Sequence, residues 1–478
     1  LHLLSRRHRQ LCIRDSYARY MIGSEELEPT DGWNYTALGE LLLKEPNADW
    51  NKIAETICES FLTASEKSEH ASRVTLSVIE LSKIDDLLVK LNDYSRDLCG
   101  NLTTREQLVE FRKTLETGEH FGNETICAGY ANRLDLGELA NAGGGITDKS
   151  AAVLSALDAA VVRKINGGGH PTASGLTIYY PFEPFGTENL RTIAGLAQCP
   201  YYIEFIETMM LSASPAFDYA KLKTGEVAAL CVGEIGGDSP LCGRWRDLGE
   251  DAMGGNVSAL VKTAGDFSIT NDGKYKFSIT PETLRYAKNV GLRISRNRHY
   301  KEDEDDEEEF IAYGKQLCQT ADWEDGSFSG KFNGFWIMWP NKEPISINPY
   351  ERDADGVTYV AEVRIEKKPR AISVFADSVG RAYLDGYYKY GEDGRYTLEP
   401  IEDGSTCISF HGVHTYGGAE KYTTLDNQMV FENDARVICD MLQDDEYYCF
   451  LEITDVYGNT VRSPIRDFII ADGKIAFK

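Results

Sequence analysis

Apolar residues recur at helical spacing at Trp50, Ile53, Ile57 and Phe61, and then alternate with polar ones at Val74, Leu76 and Val78. A helix followed by a half-buried strand is predicted. Ile84, Leu87, Leu88, Leu91 and Tyr94 form one face of a second helix that ends near Gly100, and Ser82 with Asp85 reads as its capping box. Thr104 and Gln107 repeat that start signal before Leu108, Phe111 and Leu115, with Gly118 placed to end the helix. After the glycine run 143–145, Val153, Leu154, Leu157, Val161 and Ile165 predict another helix, and Ser174 to Tyr180 a strand closed by Pro181. Strand, helices and strand in this order predict an α/β domain over 17–215, with parallel strands covered by helices.

From residue 216 the pattern changes to short β-rich runs separated by Asp-Gly pairs starting at 272, 325, 355, 385, 393, 403 and 472. That dipeptide suits tight hairpins. Residues 302–309 are eight consecutive acidic residues, which repel one another and predict an exposed linker over 301–310. The expected division is therefore an atypical segment 1–16, the α/β domain 17–215, a β-rich connecting domain 216–300, the linker, and an antiparallel sandwich or barrel over 311–478. Phe335 to Trp339 is one of its aromatic strands.

A length of 478 residues exceeds what one core fills, which agrees with several domains. The formal charge of −26 repels phosphates and anionic headgroups, so nucleic acid is excluded as a partner and a cationic peptide favoured. No stretch approaches the roughly 20 apolar residues that span a bilayer as a helix. The 11 cysteines are scattered without a C-x-x-C pair, which argues for buried thiols over a zinc or redox motif. Residues 1–16 depart from this acidic background, carrying Arg6, Arg7, Arg9 and Arg14 with His2 and His8.

Candidate chemistry is sparse. Asn166 to His170 (NGGGH) lacks the Lys-Ser/Thr of a phosphate loop and follows a helix, so His170 reads as a loop histidine. His411 and His414 have metal-like spacing without further ligands nearby, which favours a plain strand. Cys12 near His8, and Cys407 near His411, pair a thiol with an imidazole only locally in sequence, whereas nucleophile and base usually come from separate elements.

The segment Tyr20 to Tyr35 (YMIGSEELEPTDGWNY) is the most distinctive, and it resembles the strand and loop after the catalytic cysteine of clostripain-like cysteine peptidases. VTLSVIELSKIDDL at 74–87 and HPTASGLTIYYP at 170–181 are similar to two further family blocks in the right order, while DGSFSGKF at 325–332 and ITDVYGN at 453–459 resemble the β-rich extension of larger bacterial members. The resemblance implies an α/β caspase-like N-terminal domain and a parent enzyme that cuts peptide or protein substrates after Arg or Lys with a His/Cys dyad. It implies acidic residues that receive the basic side chain, here Asp31 first and Glu28 second. It also implies calcium as a cofactor and a secreted or cell-surface bacterial setting. The family's cysteine falls at or before residues 1–5, which read Leu-His-Leu-Leu-Ser, so no catalytic residue is identifiable, and residues 1–16 are expected to come from a shifted reading frame or a disrupted gene, with a plain basic tail as the alternative. The competing expectation is a non-catalytic relative whose β-domains bind peptide, glycan or a partner surface.

Overall fold

The computed structural model describes residues 18–26, 28, 32–66, 71–122, 132–142, 147–182, 199–217, 268–280, 284, 286–298, 309–390, 396–415, 420–424, 428–432, 437–456, 458 and 460–478. The N-terminal half runs β1 (Tyr20–Gly23), α1 (Tyr35–Lys44), α2 (Trp50–Ser65), β2 (Thr75–Glu80), α3 (Ile84–Asn101), α4 (Arg105–Glu116), β3 (Arg133–Asp135), α5 (Leu136–Asn141), α6 (Asp148–Ala160), β4 (Val161–Asn166), β5 (Thr177–Tyr179) and α7 (Pro200–Leu211). β1, β2 and β4 form one three-stranded sheet, and β3 pairs with β5. Every one of these pairings is antiparallel, which corrects the parallel sheet expected from the element order.

Alternation along β2 explains the layering. Leu76 and Val78 pack with Ile57, Cys58 and Phe61 of α2 on one face. The opposite face carries Thr75 and Ser77, both fully buried, and beside it lies a larger core of Leu87, Leu91 and Tyr94 from α3 with Leu108, Phe111, Val153 and Leu157. Two polar residues buried on a strand face announce a polar site, because a buried hydroxyl must find partners.

Caps follow the sequence in part. Thr104 and Gln107 form the expected capping box of α4. Ser82 and Asp85 do not: a 3-10 turn at Leu81–Lys83 precedes α3, and the Ser82 hydroxyl donates to Glu80. The helix expected to continue through Val161 and Ile165 stops at Ala160, since those β-branched residues leave it to pair with β2 as β4. The glycine run 143–145 lies outside the described residues.

The named elements of the described C-terminal residues are all strands: β6 (Ser268–Ile269), β7 (Lys274–Ser278), β8 (Ala287–Arg298), β9 (Glu309–Leu317), β10 (Thr320–Asp322), β11 (Ser327–Lys331), β12 (Phe335–Met338), β13 (Ile347–Arg352), β14 (Gly356–Ile365), β15 (Lys368–Asp377), β16 (Ala382–Tyr390), β17 (Tyr396–Glu399), β18 (Thr406–Thr415), β19 (Glu420–Thr424), β20 (Met429–Val430), β21 (Ile438–Met441), β22 (Asp445–Asp455), β23 (Thr460–Arg462), β24 (Arg466–Ala471) and β25 (Lys474–Phe477). β17-β16-β15-β14-β13-β9-β8-β22-β24-β25 form one continuous path, and β18 joins it by pairing with β14 at one end and β9 at the other. β8 and β9 are antiparallel neighbours across the acidic run, from Gly291–Leu317 to Arg298–Glu309. The expected boundary at 301–310 therefore falls inside a hairpin of one sheet, and residues on both sides of it share one core. Residues 302–308 themselves lie outside the described residues.

Asp-Gly pairs turn hairpins at 272–273, between β6 and β7, and at 472–473, between β24 and β25, where Asp472 and Gly473 both have positive φ. Gly314 answers a different demand. It has φ +103° and sits where β9 meets β13, and a Cβ there would lie 2.0 Å from the Ile347 carbonyl oxygen. Gly314→Ala is expected to destabilise the β region by roughly 2–5 kcal/mol through strain and overpacking, read as a lowered denaturant midpoint, whereas Gly380→Ala, with nothing within 4 Å of its Cβ, serves as the positive-φ control.

Candidate functional site

The loop after β1 carries the acidic cluster of the sequence, and β2 fixes it. The Thr75 hydroxyl oxygen accepts the amides of Glu25 and Glu26 at 3.0 and 3.2 Å and lies 3.0 Å from the Ser24 hydroxyl. Held this way, Glu25 and Glu26 point inward and are buried, while Glu28 stays exposed and accepts the Trp33 indole N–H at 3.1 Å. Asp31, the first expected receptor for a basic side chain, lies outside the described residues. Glu28 is therefore the one expected site residue whose place is seen.

Glu26 reaches a second, unexpected cluster. Its Oε2 accepts the Gly122 amide at 2.8 Å and lies 3.6 Å from Arg73 and 3.4 Å from His170 Nε2. The other ring nitrogen of His170 is 2.5 Å from Glu119 Oε1, and Glu119 Oε2 accepts the Thr172 hydroxyl at 3.0 Å. His170 is thus an imidazole clamped between two carboxylates. Burial by itself would lower its pKa, but hydrogen bonds and charge from Glu119 and Glu26 outweigh that and lift it to about 9.

Next to it, Asp135 caps α5 by accepting the Glu138 amide and also takes the Ser174 amide at 2.6 Å. Burial raises Asp135 to about 6, against the lowering effect of these bonds. Glu25 accepts the Gly175 amide at 3.1 Å and is held well above the carboxylate range by burial and then by Asp135. His120 is pushed down to about 4 by burial, its ring 5.8 Å from Phe182 and 5.1 Å from Tyr396.

The NGGGH loop is shaped by backbone contact. Gly167 and Gly169 donate to the carbonyls of Val74 and Ser72, and a Cβ on Gly169 would lie 2.7 Å from the Ser72 oxygen. His170 sits at the end of this loop, as expected, but as a buried charged link. Sequence reasoning missed Glu119, His120 and Asp135 altogether. Their only signal was the interruption of the apolar pattern by Thr75 and Ser77 opposite the helix end at Gly118.

The described thiols offer little nucleophilic character. Burial pushes Cys58 up to about 11 and Cys199, Cys318, Cys407 and Cys449 up to about 12, and it also raises Cys99 and Cys439. A thiol so held is protonated at neutral pH. His411, four residues along β18 from Cys407, is fully buried with Nδ1 2.6 Å from the Ser346 hydroxyl oxygen. Cys12 and His8 lie outside the described residues. Among the described residues no group of three or more His, Cys, Asp or Glu side chains is arranged to hold a metal ion. No described helix is long and apolar enough to cross a membrane.

Residues 9–179 match the model of the Clostripain family. The N-terminal region is clostripain-like. The match begins at residue 9, so residues 9–16, expected to stand outside the resemblance, fall within it; it ends at the close of β5, short of the β-rich half. A clostripain from Bacteroides thetaiotaomicron ATCC 29148, solved with the peptide inhibitor BTN-VLTK-AOMK, is similar at 18% identity over 34% of this chain and 69% of that one, with a TM-score of 0.27. None of the curated proteins compared matches the chain. Within the clostripain-like region, all three blocks that carry the resemblance meet at the cluster just described: the loop 24–28, Thr75 of β2, and the segment 170–175.

The sign of the His170 shift sets a pH dependence. Its folded pKa of about 9 exceeds the ordinary 6.5, so its stabilisation is complete below pH 6.5 and is lost as pH rises from there through 9. Thermal unfolding of the intact chain between pH 6.5 and 9.5 should show a falling Tm, and His170→Gln should flatten that slope and lower the Tm at pH 6.5.

Proposed function

We propose that this chain is the part of a clostripain-type endopeptidase that receives the Arg or Lys side chain of a peptide substrate, and that it does not cut that peptide on its own. The observation that carries the reading is the acidic loop: Glu25 and Glu26 are buried and bonded in place, which leaves Glu28 projecting at the surface beside Trp33. Fixed carboxylates in a chain of net charge −26 attract a cationic side chain and lower the cost of ordering the loop around it.

The match of residues 9–179 to the Clostripain family model supports reading that region as a relative of cysteine peptidases, whose chemistry needs a thiolate beside an imidazole. The described cysteines are protonated by burial, and His170 is committed to Glu119 and Glu26. Binding without turnover is the expected behaviour.

A fluorogenic peptide with Arg before the scissile bond tests this directly. The chain should bind it, bind a Glu-containing analogue much more weakly, and release no fluorophore; Glu28→Gln should weaken binding roughly two- to fivefold, the scale of an exposed ion pair. Turnover that disappears in Cys12→Ala would show a working nucleophile and overturn the inactive reading, and equal binding of the Arg and Glu peptides would overturn the specificity.

A further inference from the structure

The turn that presents Glu119 to His170 is held from outside the clostripain-like region. Thr117 follows directly on α4, and its carbonyl accepts the amide of Tyr396 in β17 at 2.9 Å. The Tyr396 ring meets His120 edge to face at 5.1 Å. One turn back, the Tyr350 hydroxyl of β13 donates to Glu116, whose other oxygen is 2.6 Å from Arg112, and Glu351 pairs with Lys113 at 3.0 Å. Arg112 in turn donates to the Phe182 carbonyl at 2.8 Å, just after β5. Tyr388, Tyr396 and Ala371 of the β region pack on the core of the N-terminal helices, so this seam has an apolar floor beneath its polar contacts.

We propose that the C-terminal β region is a working part of the peptide-binding site, with Tyr396 a positioning residue that acts through the turn 117–121 and the Glu119–His170 pair to set the acidic loop 24–28. The proposal rests on the reading of that loop as the receptor for a basic side chain. Glu119 lies between Thr117 and His120, and both of those are gripped by Tyr396. The hydrogen bond from His170 to Glu119 weakens steeply once its angle is bent, so a rotation of the turn that carries Glu119 alters it. His170 carries the displacement onward to Glu26, which shares the loop backbone with Glu28. The Tyr396 phenol is close enough to feel the same carboxylates: burial, then Glu119, push its pKa up to about 12.

The test uses the full chain, with Tyr396→Ala, Tyr396→Phe and the bulk-preserving Tyr396→Leu. Two readouts are taken: affinity for an Arg peptide, and the titration of the His170 imidazole followed by NMR, with Glu119, Glu26, Arg73 and His120 as the charged groups facing it. The expected result is a fivefold or greater loss of affinity in Tyr396→Ala and Tyr396→Leu, the scale of coupling between distinct sites, with the His170 titration moving down from about 9 and Tyr396→Phe close to wild type in both. A purely structural seam would lower the Tm and leave the His170 titration in place, and that outcome overturns the proposal; Tyr396→Leu decides it if Tyr396→Ala fails to fold. A wild-type chain that binds no basic peptide defeats the functional reading alone, because the His170 titration still judges the coupling.

Discussion

A buried imidazole held between two carboxylates ties the N-terminal half together. Glu119 comes from the turn after α4, His170 from the loop after β4, and Glu26 from the loop after β1, so three segments distant in sequence meet at one ring. Removing one partner of such a buried pair typically costs 3–5 kcal/mol, because the remaining charge is left without compensation. The neighbouring groups depend on it. Asp135 accepts the amides of Glu138 and Ser174 and Glu25 that of Gly175, so the acidic loop and the first turn of α5 are both tied to the segment that follows His170.

The polar cluster also explains why the strand beneath it is built as it is. β2 turns aliphatic side chains toward α2 and hydroxyls toward the cluster, and Thr75 alone fixes two consecutive amides of the acidic loop. Charge is thereby placed by backbone geometry, with exposure graded from buried Glu25 and Glu26 to exposed Glu28.

The β-rich half is not a detached appendage. Its sheet runs unbroken from β17 to β25, with β18 bridging β14 and β9, and its β13 and β17 reach the end of α4 and the turn after it. The same packing that satisfies the last turn of α4 therefore fixes the turn that carries Glu119. The Lys315 ammonium, buried against Glu452 and lowered to about 8 by desolvation, shows that this half too accepts an ion pair inside its sheet, where Arg293 and Arg462 share the carboxylate.

Much of the local structure was legible in the chain itself. The helix at 50–65, the strand at 75–80, the Thr104–Gln107 cap and the hairpin turns at 272–273 and 472–473 follow from periodicity and turn chemistry, which act over a few residues. The acidic loop and its family resemblance were legible as well, because they are contiguous. Val161 and Ile165 misled, since an apolar spacing that suits a helix gave way to the pairing offered by β2. The antiparallel direction of the sheet, the joining of β8 to β9 across the acidic run, the Glu119–His170–Glu26 link and the contact of Tyr396 with His120 were decided by tertiary structure alone. Each depends on which distant segments share space, and the free energy that selects them, from burial and from pairing charges away from water, arises only once the chain has folded back on itself.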